Sequence, residues 1–258
     1  MGKLIIVGTG INPASHLTSD AREWIQKADR VYYIVNGKES EAMILQLRPE
    51  AQSLYSLYDP ELERAKTYKM MVNLLVGSLF ECETVCGVFY GHPSIFVNPA
   101  PDAVRTARQM GFEAEILPGI SAEDCLFADL VIDPAHRGCQ SYEATDFLAR
   151  TRIFDPTALL VLWQIDGLAV LTAECMEKGF QPKHLDVLAE VLMQTYGPDH
   201  PIYIYEAATV PDEKPRIDRL MLRDLPQCQP TGKSTAYVPP IGTVVHDQAM
   251  LKRLGLVK

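Results

Sequence analysis

KLIIVGTG opens the chain as an uninterrupted apolar run closed by glycines, the pattern of a strand buried on both faces. Thr18, Ser19 and Asp20 then offer helix caps before AREWIQKADRVYYIV, which reads as an amphipathic helix followed by a second strand. The alternation continues with a helix over residues 60–79, the strand TVCGVFY, the loop GHPSIFVNPAP, the helix DAVRTARQMG and the short strand FEAEILPG. Strands alternating with helices predict a parallel α/β unit over residues 1–118. After Pro118 and Gly119 come the helix ISAEDCLFADL, a polar passage containing HRGCQSYEATDFLAR, and the buried strand ALLVLWQI. The helix HLDVLAEVLMQTYG, the strand PIYIYEAAT, a Pro-rich connection and a last strand around STAYVPP complete a second α/β unit over 119–258.

The stretch YSLYDPELERAKTYKMM, residues 55–71, places Tyr55, Tyr58, Arg64 and Tyr68 around a helix start. Asp59 suits the N-cap and Pro60 the first helical position. Leu62, Ala65, Val72, Leu75 and Leu79 recur at helical spacing with Tyr68 among them, so Tyr68 is expected to face inward with Arg64 one turn before it. Spacing alone is satisfied equally by an amphipathic helix with half-buried tyrosines and a snorkelling arginine.

Composition adds exclusions. Hydrophobic residues make up 47% and charged residues 22% of 258, an ordinary globular balance. The net charge of −9 gives no basic footprint for nucleic acid or an anionic membrane, and a neutral or cationic partner fits better. No run approaches the apolar length of a membrane span, and the N-terminus lacks a signal-peptide pattern. Cys82, Cys86, Cys125, Cys139, Cys175 and Cys228 form no CxxC pair. They read as structural thiols in a reducing cytoplasm, and no metal site is expected.

GTGINP after the first strand invites a dinucleotide reading, but the third glycine is missing and Pro13 stands where the helix should begin. The turn still lies at the carboxyl end of a parallel strand, where α/β proteins bind ligands. FYGHPSIFVNP fixes an unusual backbone path at the same edge, as a pocket wall or as a stiff connection. In LPGISAEDCLF, Ser121 is either a helix cap or a ligand contact.

In order, VGTGINPASHLT, AREWIQKADRVYY, VFYGHPSIF, PGISAEDCLFADL and YIYEAA resemble the tetrapyrrole methylase superfamily of S-adenosylmethionine-dependent enzymes, over nearly the whole chain. YSLYDPELERAKTY, VFYGHPSIFV, LPGISAEDCLFADLVIDP, GCQSYEATDF, LWQI and YGPDH are similar to the borosin peptide-backbone α-N-methyltransferases. Porphyrin and corrin methylases typically carry GDP where this chain has Gly91-His92-Pro93, and they lack the Tyr/Arg cluster. The resemblance implies a tetrapyrrole-methylase-like α/β fold of two domains with the cofactor in the cleft between them, and a homodimer. It implies S-adenosylmethionine, leaving as S-adenosylhomocysteine, lined by Tyr90, His92, Phe96, Val97, Ser121, Ala122, Gln164, Tyr205, Ala207 and Thr235. This cofactor carries no phosphate, which accounts for the failed dinucleotide test.

The family's fungal members carry their substrate as a C-terminal extension. IGTVVHDQAMLKRLGLVK after YVPP is too short for a clasp domain and core peptide, so the resemblance implies a split type acting on a separate precursor. Within it, Tyr68 is expected as the base tuned by Arg64, with Tyr58 and Tyr90 as hydrogen-bond donors and Tyr55 positioning substrate. The alternatives are a tetrapyrrole or corrin C-methyltransferase and a noncatalytic peptide-binding protein of the same fold.

Overall fold

The computed structural model describes residues 2–59, 62–169 and 182–257. Pro60 and Cys175, both named above, lie outside the described residues. Two compact units divide the chain. The first contains Met1–Ile132 and Glu206–Arg216, and the second contains Asp133–Leu168, Phe180–Tyr205 and Ile217–Lys258. The expected division after residue 118 and this one differ by the Ala122–Asp129 helix and by Glu206–Arg216, both of which go with the first unit.

In the first unit β1 (Lys3–Gly8), β2 (Arg30–Ile34), β3 (Gln52–Ser53), β4 (Thr84–Phe89) and β5 (Glu113–Ile116) form one sheet in the order β3-β2-β4-β1-β5. All its pairings are parallel. Alternate side chains divide between two cores. Leu4, Ile6, Tyr32, Val85 and Phe89 pack with Met71, Leu75, Ala103 and Val104 of the Arg64–Gly77 and Pro99–Gln109 helices. Ile5, Val7, Val31, Tyr33 and Val88 pack on the other face with Ile25 and Ile44 of the Ser19–Lys27 and Lys38–Leu47 helices. Burial on both faces explains why β1 reads as a continuous apolar run rather than an alternating one.

The second unit is mixed, not wholly parallel. β6 (Cys139–Glu143), β7 (Leu159–Trp163), β8 (Pro201–Glu206), β9 (Arg216–Met221) and β10 (Thr235–Val238) lie in the order β6-β7-β10-β8-β9. β6 and β7 are parallel, and β10 runs antiparallel to both β7 and β8. Its core gathers Leu160, Leu162, Ile204, Ala236 and Val238 of the sheet with Leu185, Leu188 and Leu192 of the Pro182–Tyr196 helix.

The helix expected over 60–79 begins later than its caps suggested. It spans Arg64–Gly77, its N-cap is Glu63 without a side-chain cap bond, and a 3-10 turn Ser78–Phe80 follows. Asp59 instead closes a turn, its carbonyl accepting the Leu62 amide at 3.0 Å. The inward face runs through Thr67, Met71, Val72, Leu75 and Val76, while Ala65 is exposed.

Candidate functional site

The carboxyl ends of the first sheet's strands meet through close backbone contacts that only glycine allows. Gly10 and Gly91 exchange backbone hydrogen bonds of 3.2 Å, joining the turn after β1 to the turn after β4. A Cβ on Gly8 would stand 2.0 Å from the Gly91 carbonyl oxygen, and one on Gly119 would meet the same oxygen at 3.2 Å. The glycines of GTG and PG therefore pack loop on loop, which is why they do not follow a phosphate-binding spacing.

Tyr90 directly follows β4 here, its amide donating to the Ile34 carbonyl at 3.2 Å. Burial and then the neighbouring Cys125 thiol push the Tyr90 phenol up to about 12, so at neutral pH it is a hydrogen-bond donor. The Ser94 amide donates to Nδ1 of His92 at 3.0 Å, which leaves Nε2 as the ring nitrogen free to carry a proton toward a ligand. Phe96 follows in the left-handed region at φ 55°, and Val97 packs against the core beneath.

Ser121 is buried and fully used as a cap. Its hydroxyl lies 2.6 Å from an Asp124 carboxylate oxygen and accepts the Asp124 amide at 3.1 Å, while its own amide donates to the same carboxylate at 2.7 Å. This capping box was readable as Ser-x-x-Asp. Ala122 is the first residue of that helix.

Tyr58, Arg64 and Tyr68 come together. Tyr68, half-buried against the core, has its hydroxyl near that of Tyr58. Burial first and then the neighbouring Tyr68 hydroxyl push Tyr58 up to about 12, and the Arg64 guanidinium pulls the other way. Tyr58 is thus protonated at neutral pH, and the arginine's charge bears on it. Tyr55 stacks obliquely on Tyr58 with ring centroids 6.0 Å apart, but its hydroxyl donates to the Val35 carbonyl at 2.9 Å. Any positioning by Tyr55 therefore falls to its ring. Among the described residues no hydrogen bond joins the Tyr90 hydroxyl to Tyr58, Arg64 or Tyr68.

Of the remaining candidates, Ala207 belongs to the first unit and Gln164, Tyr205 and Thr235 to the second. Thr235 and Tyr205 are register partners across β10 and β8, both buried. Gln164 is exposed and left-handed at φ 59° before the 3-10 turn Ile165–Gly167. Two of the five left-handed non-glycine residues among those described, Phe96 and Gln164, are thus cofactor candidates. Strained backbone concentrates at functional sites. Sequence reasoning missed this, and it also missed Glu41, whose link to Tyr33 depends on how β2 enters the Lys38–Leu47 helix. Among the described residues no group of three or more His, Cys, Asp or Glu side chains is arranged to hold a metal ion, and no helix is long and apolar enough to cross a membrane.

The family model described as "Tetrapyrrole (Corrin/Porphyrin) Methylases" matches residues 3–222. A methyltransferase/ribosomally synthesized type III borosin cyclic peptide precursor of Anomoporia bombycina is 40% identical over 262 positions, covering 100% of this chain and 30% of the relative. The methyltransferase/omphalotin A precursor of Omphalotus olearius is 39% identical, covering 99% of this chain and 62% of the relative. The chain therefore spans less than two thirds of these relatives' lengths. Among solved structures, uroporphyrin-III C-methyl transferase from Thermus thermophilus, complexed with S-adenyl homocysteine, matches with a TM-score of 0.61 at 17% identity over 92% of both chains, a likeness of fold.

Proposed function

From the premise that the chain belongs to the tetrapyrrole (corrin/porphyrin) methylase family, we propose that it is an S-adenosylmethionine-dependent methyltransferase acting on backbone amide nitrogens of a peptide. The observation that carries this reading is the Tyr58–Arg64–Tyr68 cluster, two neighbouring phenols beside a guanidinium. The methyltransferase/peptide-precursor names of the relatives support it.

The residues fit the cofactor's chemistry. Between Tyr90 and Val97, and between Gly119 and Ala122, there is no lysine or arginine, so the strand-end loops offer neutral groups suited to a ligand without phosphate. Tyr90, the His92 ring, Phe96, Val97 and Ala122 would hold it in the first unit, with Ser121 shaping the loop as a cap. When bound, S-adenosylmethionine supplies an electrophilic methyl group on a sulfonium sulfur.

An amide nitrogen is a poor nucleophile because its lone pair is shared with the carbonyl. In its phenolate form Tyr68 takes the N–H proton and becomes the neutral phenol, the electron pair shifts toward the carbonyl oxygen, and protonated Tyr58 donates to that oxygen. The positive charge of Arg64 favours the anionic form of the cluster from which the proton transfer starts. Tyr90, protonated as well, is a second donor or a positioning group at the strand end.

Mass spectrometry of a peptide incubated with the protein and S-adenosylmethionine tests the reading, each added methyl appearing as one mass increment. Tyr68→Phe and Arg64→Ala should each lower the rate by about 10²-fold or more. If both variants methylate at near wild-type rate, the assignment of base and tuner is wrong. Transfer to a porphyrinogen but to no peptide would replace the substrate class. The homodimer that the resemblance implies belongs to the same reading, and sedimentation equilibrium should then give twice the 28.8 kDa of one chain.

A further inference from the structure

Beside the tyrosine cluster lies a cavity of about 220 Å³ lined by Tyr33, Val35, Gly37, Lys38, Glu41 and Tyr55. It lies in the first unit at the carboxyl end of β2, where the chain turns through Gly37 at φ 82° into the Lys38–Leu47 helix. Ligand sites for cofactors and drug-sized molecules run to about 300–1,000 Å³, so this volume suits a single side chain.

Its chemistry is specific. The Tyr33 hydroxyl donates to Glu41 Oε1 at 2.7 Å and fixes the carboxylate one turn into the helix. The second carboxylate oxygen has no hydrogen-bond or ion-pair partner among the described residues. Lys38 is on the exposed rim, yet among the described residues no ion pair within 4.0 Å joins it to Glu41. The phenol rings of Tyr33 and Tyr55 and the Val35 side chain supply apolar walls. A carboxylate that shares a cavity with two phenol rings favours a cation on an aliphatic stem and repels an acid.

The wall shared with the cluster gives the cavity its place in the reaction. Tyr55 is held by its bond to the Val35 carbonyl, and its ring stacks obliquely on Tyr58 at 6.0 Å. We propose that this cavity is a subsite for one basic side chain, lysine or arginine, of the peptide whose backbone is methylated, setting which amide reaches Tyr58 and Tyr68. The peptide part of this inference rests on the function proposed above, and the preference for a cation does not. Burial and then the Glu41 carboxylate raise both the Tyr33 and the Tyr55 phenols, so its negative charge is felt on both walls.

The test is binding to the full chain, without methylation. N-acetyl-argininamide and N-acetyl-norleucinamide are titrated against protein with isotope-labelled tyrosines, and the Tyr33 and Tyr55 ring signals are followed, assigned through Tyr33→Phe and Tyr55→Phe. The argininamide should shift both signals saturably and bind about tenfold more tightly than its neutral counterpart. Glu41→Gln, which keeps an oxygen for the Tyr33 hydroxyl to bond, should erase that preference. Equal binding of the two probes to wild-type protein, or a preference unchanged in a folded Glu41→Gln, overturns the subsite. The wild-type comparison decides even if the variant does not fold. Loss of the arginine preference leaves peptide methylation standing, and failure of peptide methylation leaves cation binding standing, so the two ideas fail separately.

Discussion

Tyr58 and Tyr90 are both pushed up to about 12, chiefly by burial, yet only Tyr58 has a cation pulling against that shift. The difference gives a signed prediction. In a spectrophotometric titration of phenolate, Tyr58→Phe should remove a transition near 12, and Arg64→Ala should move that transition upward because the favourable charge is gone. A downward movement in Arg64→Ala would contradict the geometry. The Tyr90 transition should stay put in the same variant, since among the described residues its neighbour is Cys125. Spacing brought Arg64 and Tyr68 to one helix but could not say which phenol the guanidinium serves. That depends on where Tyr58, outside the helix, hangs relative to it.

The helix carrying these residues shows how far local rules reach. Its existence and its apolar face were legible because Met71, Val72 and Leu75 recur at the helical period. Its start was not. Asp59 and Pro60 are good caps, but the helix begins at Arg64, with Lys66 close behind and no acid in the first turn, against its own dipole. Left-handed residues are the second illegible feature, because a phenylalanine or glutamine carries no sign in sequence that φ is positive. Gln164 makes this measurable. At an ordinary exposed position glycine is less stable than alanine, but at φ 59° the order should invert, with Gln164→Gly more stable than Gln164→Ala by about 1 kcal/mol in denaturant unfolding. Both variants should weaken S-adenosylmethionine binding if the side chain contacts the cofactor. A Gly variant no more stable than the Ala variant would mean that the backbone there is unstrained.

Across the whole molecule, 33 acidic against 24 basic residues set a far field opposite in sign to the Arg64 charge that acts on Tyr58. Composition revealed the first, and the second emerged only once the helix start was located. The two act over different distances, since at about 0.1 M salt charges separated by more than roughly 10 Å are largely screened. Approach of a peptide is governed by the far field, and chemistry at the phenols by the near one. A peptide bearing arginine should therefore associate faster at low ionic strength and slow as salt is added, while a sequence-matched peptide bearing glutamate in its place should speed up. Stopped-flow fluorescence with a labelled pair reads this directly. The association rates should respond to salt with opposite sign, whereas the single-turnover methylation rate of bound peptide should change little, because the contacts among Tyr58, Tyr68 and the adjacent guanidinium are short-range. Salt trends of the same sign for both peptides would show that net charge plays no part in recruiting substrate.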